Sequence, residues 1–88
     1  MEPTKIFEVY GGVQQLYQFL NGYGASVVKH PYSYGGPEGF WELAVVKWDG
    51  ADCKLCYTTE ITDDVIGWLT AEEVMEYLVK ISNLPAKA

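Results

Sequence analysis

The stretch that most constrains the fold runs from residue 21 to residue 48 and contains two extended segments separated by a loop rich in Gly, Pro and Tyr. In the second segment, residues 40–48 (FWELAVVKW), apolar residues occupy both alternating sets of positions. A strand with two apolar faces is typical of a sheet interior with one face under a helix. Asn21-Gly22 and Asp49-Gly50 are hairpin signals, so the sequence predicts antiparallel pairing of residues 13–20 with 23–30 and of residues 40–48 with 53–59.

The other strand predictions rest on residue patterns and turn signals. Residues 5–10, 23–30 and 53–59 are predicted strands, and Gly11-Gly12 ends the first of them. Residues 13–20 have apolar positions at helical spacing, but the Asn-Gly that follows at once and the aromatic residues favour a strand. Residues 60–69 are predicted to be a connector with a single helical turn, capped by Thr62 and ended by Gly67.

Residues 70–82 carry the clearest helix pattern of the chain. Thr70 and Glu73 are spaced as a capping box, and an apolar stripe of Val74, Tyr77, Leu78 and Ile81 follows. The sequence therefore predicts an α+β fold, a small antiparallel sheet of three to four strands with a C-terminal helix packed on one face. Residues 1–88 are expected to form one domain, with frayed ends at 1–4 and 84–88.

Charge and hydropathy narrow the possible partners and location. The chain has 88 residues and a formal charge of −6, and its six basic residues are all lysines. Phosphate would repel such a chain, so we expect no direct binding of nucleic acid or of an anionic membrane. No run approaches the ~20 apolar residues that span a bilayer, and no basic-then-apolar leader is visible. We expect a cytoplasmic protein with reduced cysteines.

No residue pattern indicates a catalytic or metal site. Cys53 and Cys56 form a CxxC, but zinc needs two more ligands, and positions i and i+3 of a strand point to opposite faces. His30 with Glu42, or with Asp63 and Asp64, has the chemistry of an acid–base pair, yet a lone strand-end histidine is usually an ordinary residue. We expect no catalytic residue, no metal and no cofactor.

Two features suggest protein binding. The loop at residues 31–39, with Tyr32, Tyr34 and the adjacent Phe40, would give large contact area at low entropic cost, although it could instead pack on itself. The second feature is a set of carboxylates in the C-terminal half of the chain: Asp63, Asp64, Glu72, Glu73 and Glu76. These residues favour helix starts and solubility, or they could mimic a phosphate backbone and occupy a basic site.

Several strings occur in a specific order: NGYGASVV at 21–28, YSYGG at 32–36, GFWELAV at 39–45 and CYTTEITDDVIGWLT at 56–70, followed by a short acidic helix. In this order the chain, from about Leu16 to Leu84, resembles a widespread family of small proteins of tailed bacteriophages and prophages. The resemblance implies a phage origin and a role inside an infected bacterium. It supplies no activity and no catalytic residues, and the two cysteines do not match the family pattern.

Three functional hypotheses follow. The first is a non-enzymatic phage accessory protein that binds a host or defence protein by occlusion or by nucleic-acid mimicry. The second is a structural or assembly protein, a homo-oligomer that pairs through an exposed sheet edge or an apolar second face with Phe40, Val46 and Trp48. The third, a small enzyme or ligand binder, would need a convergent polar pocket that the sequence does not indicate.

Overall fold

The structure is a computed structural model that describes residues 1–86. Within this range, one six-stranded antiparallel sheet is followed by one α-helix. The elements are β1 (Lys5–Val9), β2 (Gly12–Gln18), β3 (Tyr23–Lys29), β4 (Trp41–Asp49), β5 (Asp52–Leu55), β6 (Ile66–Leu69) and α1 (Ala71–Ser82), with a 3-10 turn at Gly36–Glu38. The α+β fold with a C-terminal helix is confirmed, whereas the prediction of three to four strands was too low.

β1 to β5 form a meander, and β6 returns to pair with β4. β5 pairs with residues 46–49 of β4, and β6 pairs with residues 41 and 43, so the two short strands share one edge of β4. The predicted helical turn within residues 60–69 is therefore wrong. The Thr62 hydroxyl accepts the Asp64 N–H within a bend rather than capping a helix, and Gly67 lies inside β6. The backbone groups of residues 66–69 form hydrogen bonds with the free edge of β4, and a single helical turn would leave most of these groups without a partner.

Residues 12–18 form a strand, as the sequence favoured, and the hairpin that follows differs in one detail. Its loop has three residues, because Phe19 N–H donates to Tyr23 O and Gly22 N–H donates to Phe19 O. Gly22 has a φ of 87°, while Asn21 is not in the left-handed region. Such a loop combines an ordinary turn with one left-handed residue. The Asn21 side chain is thereby left available for a contact elsewhere.

The main core lies between one face of the sheet and α1. β3 contributes Ala25 and Val27, and β4 contributes Leu43 and Val45, as the alternation predicted. The helix contributes Val74, Leu78 and Ile81. The predicted capping box is present, since Thr70 Oγ1 accepts the Glu73 N–H at 3.2 Å and Glu73 Oε1 accepts the Thr70 N–H at 3.0 Å.

The opposite face of the curled sheet has its own buried residues: Val28, Ala44, Val46 and Trp48. The Trp48 indole reaches across β3 to β2, where its Nε1–H donates to Tyr17 O at 2.8 Å. It lies over Gly24, at a point where a side chain would collide with it. The apolar second face proposed as an oligomer surface is thus largely occupied, because Val46 and Trp48 are buried within the monomer.

The chain ends make specific contacts within the described range. Thr4 N–H donates to Leu16 O at 2.7 Å, and Leu84 is buried in the main core. Part of the C-terminal segment predicted to fray, residues 87 and 88, lies outside the described residues. Among residues 1–86, no helix is long and apolar enough to cross a membrane.

Asn21 ties the β2–β3 turn to the end of α1. Its Nδ2 donates to Ile81 O at 2.8 Å and to Leu84 O at 3.1 Å, and its Oδ1 accepts the Tyr23 N–H at 3.0 Å. We expect Asn21→Ala to lower the free energy of unfolding by about 1–3 kcal/mol, because three part-buried hydrogen bonds are lost, although Ile81 O still accepts the Leu84 N–H. Asn21→Asp should be at least as harmful, since a carboxylate would face the negative end of the helix. Urea denaturation measures both.

Leu20→Ala is the control for these variants, because Leu20 is the neighbouring residue and is fully exposed. A surface change of this kind usually shifts the free energy of unfolding by no more than about 0.5 kcal/mol. Equal stability of Asn21→Ala and Leu20→Ala would show that the turn–helix contact contributes nothing.

Tyr17 gives the fold a dependence on alkaline pH. Burial of its phenol, with a smaller contribution from the Glu2 carboxylate, raises the pKa of Tyr17 above the ordinary value of 10.0. The unfolded phenol ionises first, so the stability from this group is present below pH 10 and is lost as pH rises through the folded-state pKa. In urea denaturation, the stability advantage of the wild type over Tyr17→Phe should therefore shrink from pH 8 to pH 11. A constant difference would contradict this.

Candidate protein-binding surface

One end of the sheet gathers the β1–β2 turn, the β3–β4 loop and the C-terminal end of β6. The pairs Val9–Gly12 and Trp41–Leu69 place the turn and β6 at this end, and the loop spans residues 30–40 beside them. We call this region the aromatic end, after the six ring-bearing residues it contains: Tyr10, His30, Tyr32, Tyr34, Phe40 and Trp68.

Three of these rings form one group. Tyr10 lies 5.2 Å from His30 and 5.8 Å from Tyr32 between ring centroids, and the Tyr10–Tyr32 pair is edge-to-face. His30 Nδ1 accepts the Tyr32 N–H at 3.1 Å. His30 is therefore a structural acceptor inside an aromatic group, and no hydrogen bond joins it to Glu42, whose carboxylate accepts the Tyr34 N–H.

The second group joins the loop to β6. Phe40 and Trp68 have ring centroids 5.8 Å apart, and Trp68 N–H donates to Tyr34 O at 3.1 Å. Tyr34 also packs so closely on Gly67 that a side chain at position 67 would overlap it. Loop and sheet are thus in direct contact, and Tyr34 and Trp68 remain exposed above this contact.

The loop itself is held by its own hydrogen bonds. The buried Ser33 hydroxyl accepts the His30 N–H at 3.0 Å and donates to His30 O at 2.9 Å. Backbone bonds from Gly36 to Ser33 and from Phe40 to Gly35 close the following turns. A loop that is satisfied internally presents its exposed tyrosines on an ordered backbone, which lowers the entropic cost of binding.

Two exposed aromatic residues hold an unusual backbone conformation. Among residues 1–86, only Tyr10 (φ 49°) and Trp68 (φ 59°) are non-glycine residues with positive φ. Tyr10 and Gly11 together form a tight hairpin turn of the type that requires two such residues. Trp68 lies in a β-bulge, since β6 places one extra residue between its two pairs with β4. A bulge re-aims a side chain, and Trp68 is 59% exposed.

The left-handed conformation costs a non-glycine residue roughly 1–2 kcal/mol. Strained residues of this kind concentrate at functional sites, where the fold holds them in place. Both strained residues of this chain are exposed aromatics at the same end of the sheet, Tyr10 being 73% exposed. This coincidence marks the aromatic end as the candidate functional site.

The predicted acidic residues have different surroundings. Glu73 completes the helix cap, so its carboxylate is engaged within the chain. The Asp64 carboxylate accepts the Val65 N–H at 2.7 Å, and Asp63 is exposed beside it. Glu72 and Glu76 are exposed on α1. Glu72 lies in the first turn, three residues after Leu69, and so borders the aromatic end. No three metal-binding side chains come together within residues 1–86.

The two cysteines separate, although the strand predicted at residues 53–59 ends at Leu55 and Cys56 lies just beyond it. Cys53 pairs with Trp48 and so lies on the second face, whereas Cys56 is buried in the main core. Both are free thiols. The sequence placed Tyr32, Tyr34 and Phe40 in the candidate surface but missed Tyr10 and Trp68. The sequence signal for Tyr10 was its position next to the Gly11-Gly12 break, which places it in a turn. No local sequence pattern indicated that Trp68 would be exposed at this end.

The fold and this surface define a small α+β domain with an ordered, exposed aromatic end. Comparison of the chain with protein-family models, with curated proteins and with solved structures finds no match.

Proposed function

We propose that this protein is a non-enzymatic phage accessory protein that binds a host or defence protein in the bacterial cytoplasm through the aromatic end. The phage origin rests on the resemblance of its sequence motifs. The binding role rests on one observation: Tyr10, Tyr32, Tyr34 and Trp68 are exposed together on a backbone that the fold holds in place.

Energetics favour a protein partner for such a surface. Tyrosine and tryptophan are enriched among residues that dominate binding energy, because they bury large areas with few rotatable bonds. The rings of His30 and Phe40 pack against the exposed rings of Tyr10 and Trp68, and these contacts restrict the motion of the exposed rings. A partner would gain apolar contact without having to order this loop, so the interface needs fewer contacts for a given affinity.

The exposed carboxylates supply the second part of the proposal. Glu72 borders the aromatic end, and the chain carries a net charge of −6. Complementary charge raises the association rate and selects against wrong partners more than it adds affinity. We infer a partner with a basic rim around an apolar contact, and the exposed Asp63, Asp64 and Glu76 add to the negative charge of this chain.

The test begins with an affinity pull-down of the tagged protein from a bacterial lysate at low and high salt, with partners identified by mass spectrometry. The captured protein is then purified and titrated with variants. We expect Trp68→Ala and Tyr32→Ala each to weaken binding by about tenfold or more, equivalent to ~1.4 kcal/mol. Leu20→Ala, which removes a fully exposed side chain at the opposite end of the sheet, should bind like the wild type.

Charge is tested separately with Glu72→Lys and Glu76→Lys. These variants should slow association at low salt and reduce the salt dependence of binding, because exposed charges are screened. Capture of no stoichiometric partner, or equal binding by the aromatic variants and Leu20→Ala, would contradict the proposal. Retained stability in urea denaturation shows that a loss of binding is not a loss of fold.

A further inference from the structure

β1 is a free edge of the sheet. Within residues 1–86 it pairs only with β2, in a continuous register from Lys5–Leu16 to Val9–Gly12. It contains no proline and no register shift, which are two of the usual protections of an exposed edge. Two large apolar side chains stand on it, Ile6 at 61% exposure and Phe7 at 45%. An edge of this kind is a template for pairing with another strand.

The hairpin turn determines which backbone groups of β1 point outward. In a two-residue turn such as Tyr10-Gly11, the flanking pair Val9–Gly12 is hydrogen-bonded. Hydrogen-bonded and non-hydrogen-bonded pairs alternate along an antiparallel ladder. Lys5 and Phe7 therefore direct their N–H and C=O groups toward β2, whereas Ile6 and Glu8 direct theirs away from the sheet.

The other edge of the sheet is less suited to such pairing. It consists of β5 and β6, each four residues long and separated by residues 56–65. The loop at the aromatic end also covers part of β6, since Trp68 N–H donates to Tyr34 O. β1 is the longer and uninterrupted edge.

We propose that two copies of this chain associate through β1, antiparallel and about a two-fold axis perpendicular to the sheet. Such an axis places each side chain of one copy on the same face as its opposite neighbour in the second copy. The two residue numbers of an opposite pair are therefore both odd or both even. With Phe7 opposite Phe7 of the second copy, Ile6 lies opposite Glu8 in both directions. All four outward N–H groups and all four outward C=O groups are then paired.

The side chains agree with this register. Two phenylalanine rings meet at the axis, where each loses exposed apolar surface and gains an aromatic neighbour. Lys5 lies opposite Val9 of the second copy, and Glu8 lies opposite Ile6, so no like charges face each other directly. A single edge strand buries well below the ~1,200 Å² of a stable interface, so the association should be weak and visible only at high protein concentration.

Pairing also determines how the proposed binding surfaces are arranged; this consequence, unlike the association itself, rests on the proposed function. Because the paired strands are antiparallel, the aromatic ends of the two copies lie at opposite ends of a continuous sheet. The dimer would present two binding surfaces facing away from each other and could hold two partner molecules.

Sedimentation equilibrium tests the association on the purified full chain. The mean mass of the wild type should rise from monomer toward dimer between ~10 and ~500 μM. Ile6→Pro removes an outward N–H without touching the ladder to β2, and Phe7→Lys places two positive charges at the axis; both should stay monomeric. Leu20→Ala removes an equally apolar exposed side chain elsewhere and should associate like the wild type.

Amide hydrogen exchange distinguishes β1 pairing from any other dimer. The amides of Ile6 and Glu8 should exchange more slowly as concentration rises, whereas those of Lys5, Phe7 and Val9 are already bonded to β2 and should not change. A wild type that stays monomeric to ~500 μM would overturn the proposal, as would association that survives both β1 variants. Since no lysate partner is involved, the result is independent of the pull-down.

Discussion

Gly24→Ala is expected to lower the free energy of unfolding by about 3 kcal/mol or more, a large fraction of the stability of a domain of this size. A methyl group at position 24 would overlap the carbonyl oxygen of Tyr17 and lie 2.5 Å from the Trp48 indole nitrogen. These two atoms are the acceptor and the donor of one hydrogen bond. The methyl group therefore has to displace either the β2 backbone or the tryptophan that covers the second face.

The backbone part of this clash gives the effect its size. A flexible side chain can rotate away from a new methyl group, but Tyr17 O belongs to β2, which is paired with β3 through six residues of register. Moving Trp48 instead would leave the Tyr17 carbonyl without this donor and open the space above Gly24. Either response loses packing on a face where no helix compensates.

Urea denaturation of Gly24→Ala, with near-ultraviolet circular dichroism to follow the tryptophan environment, measures this effect. Gly11→Ala is the matched control, because a side chain there meets nothing within 4 Å and only the positive φ of 78° opposes it. The control should lose roughly 1–2 kcal/mol. If Gly24→Ala is no less stable than Gly11→Ala and keeps the wild-type tryptophan spectrum, Tyr17 O and the Trp48 indole do not approach Gly24 this closely.

Leu78→Ala is the second large expected effect, a loss of about 2–5 kcal/mol in the free energy of unfolding. Leu78 is fully buried in the main core, where α1 packs on β3 and β4. Truncation removes apolar contacts and leaves a cavity between the helix and the sheet, which the surrounding strands can close only partly. In a small domain, few other core residues hold the helix against the sheet.

Val79→Ala is the neighbouring control, since Val79 is exposed on the outer side of the same helix. Its free energy of unfolding should stay within about 0.5 kcal/mol of the wild type, with alanine's better helix propensity offsetting the lost contacts. Comparable destabilisation by the two substitutions would mean that α1 does not pack on the sheet through Leu78. Both variants retain the capping box, so the comparison isolates packing.

Helix and hairpin positions could be predicted because their signals are local. The capping box of Thr70 and Glu73 lies within four residues, and the alternation along β4 separates Leu43 and Val45 from Ala44 and Val46 without knowledge of any neighbour. The Asp49-Gly50 signal likewise lies at the β4–β5 hairpin, although Asp49 pairs with Asp52 and the two loop residues are Gly50 and Ala51. Each of these patterns stabilises its own element, so the element survives in the folded protein.

β6 could not be predicted in this way. Thr62 is a legitimate helix cap by sequence, and residues 66–69 are too short to show a strand period. What decided the outcome was the edge of β4 beyond β5, which lacked a hydrogen-bonding partner until β6 paired with it. A partner more than twenty residues away in the chain is not visible in a local window.

The candidate surface, too, could be predicted only in part. The sequence by itself determined the α+β class, the apolar faces of β4, the capped helix and a tyrosine-rich loop, because these depend on periodicity and turn chemistry within a few residues. Only the tertiary structure decided that Tyr10 and Trp68 join Tyr32 and Tyr34 at one end, that Val46 and Trp48 are buried and that β1 is a free edge. Those outcomes depend on strand order and register, which are determined by hydrogen bonds between segments far apart in the chain.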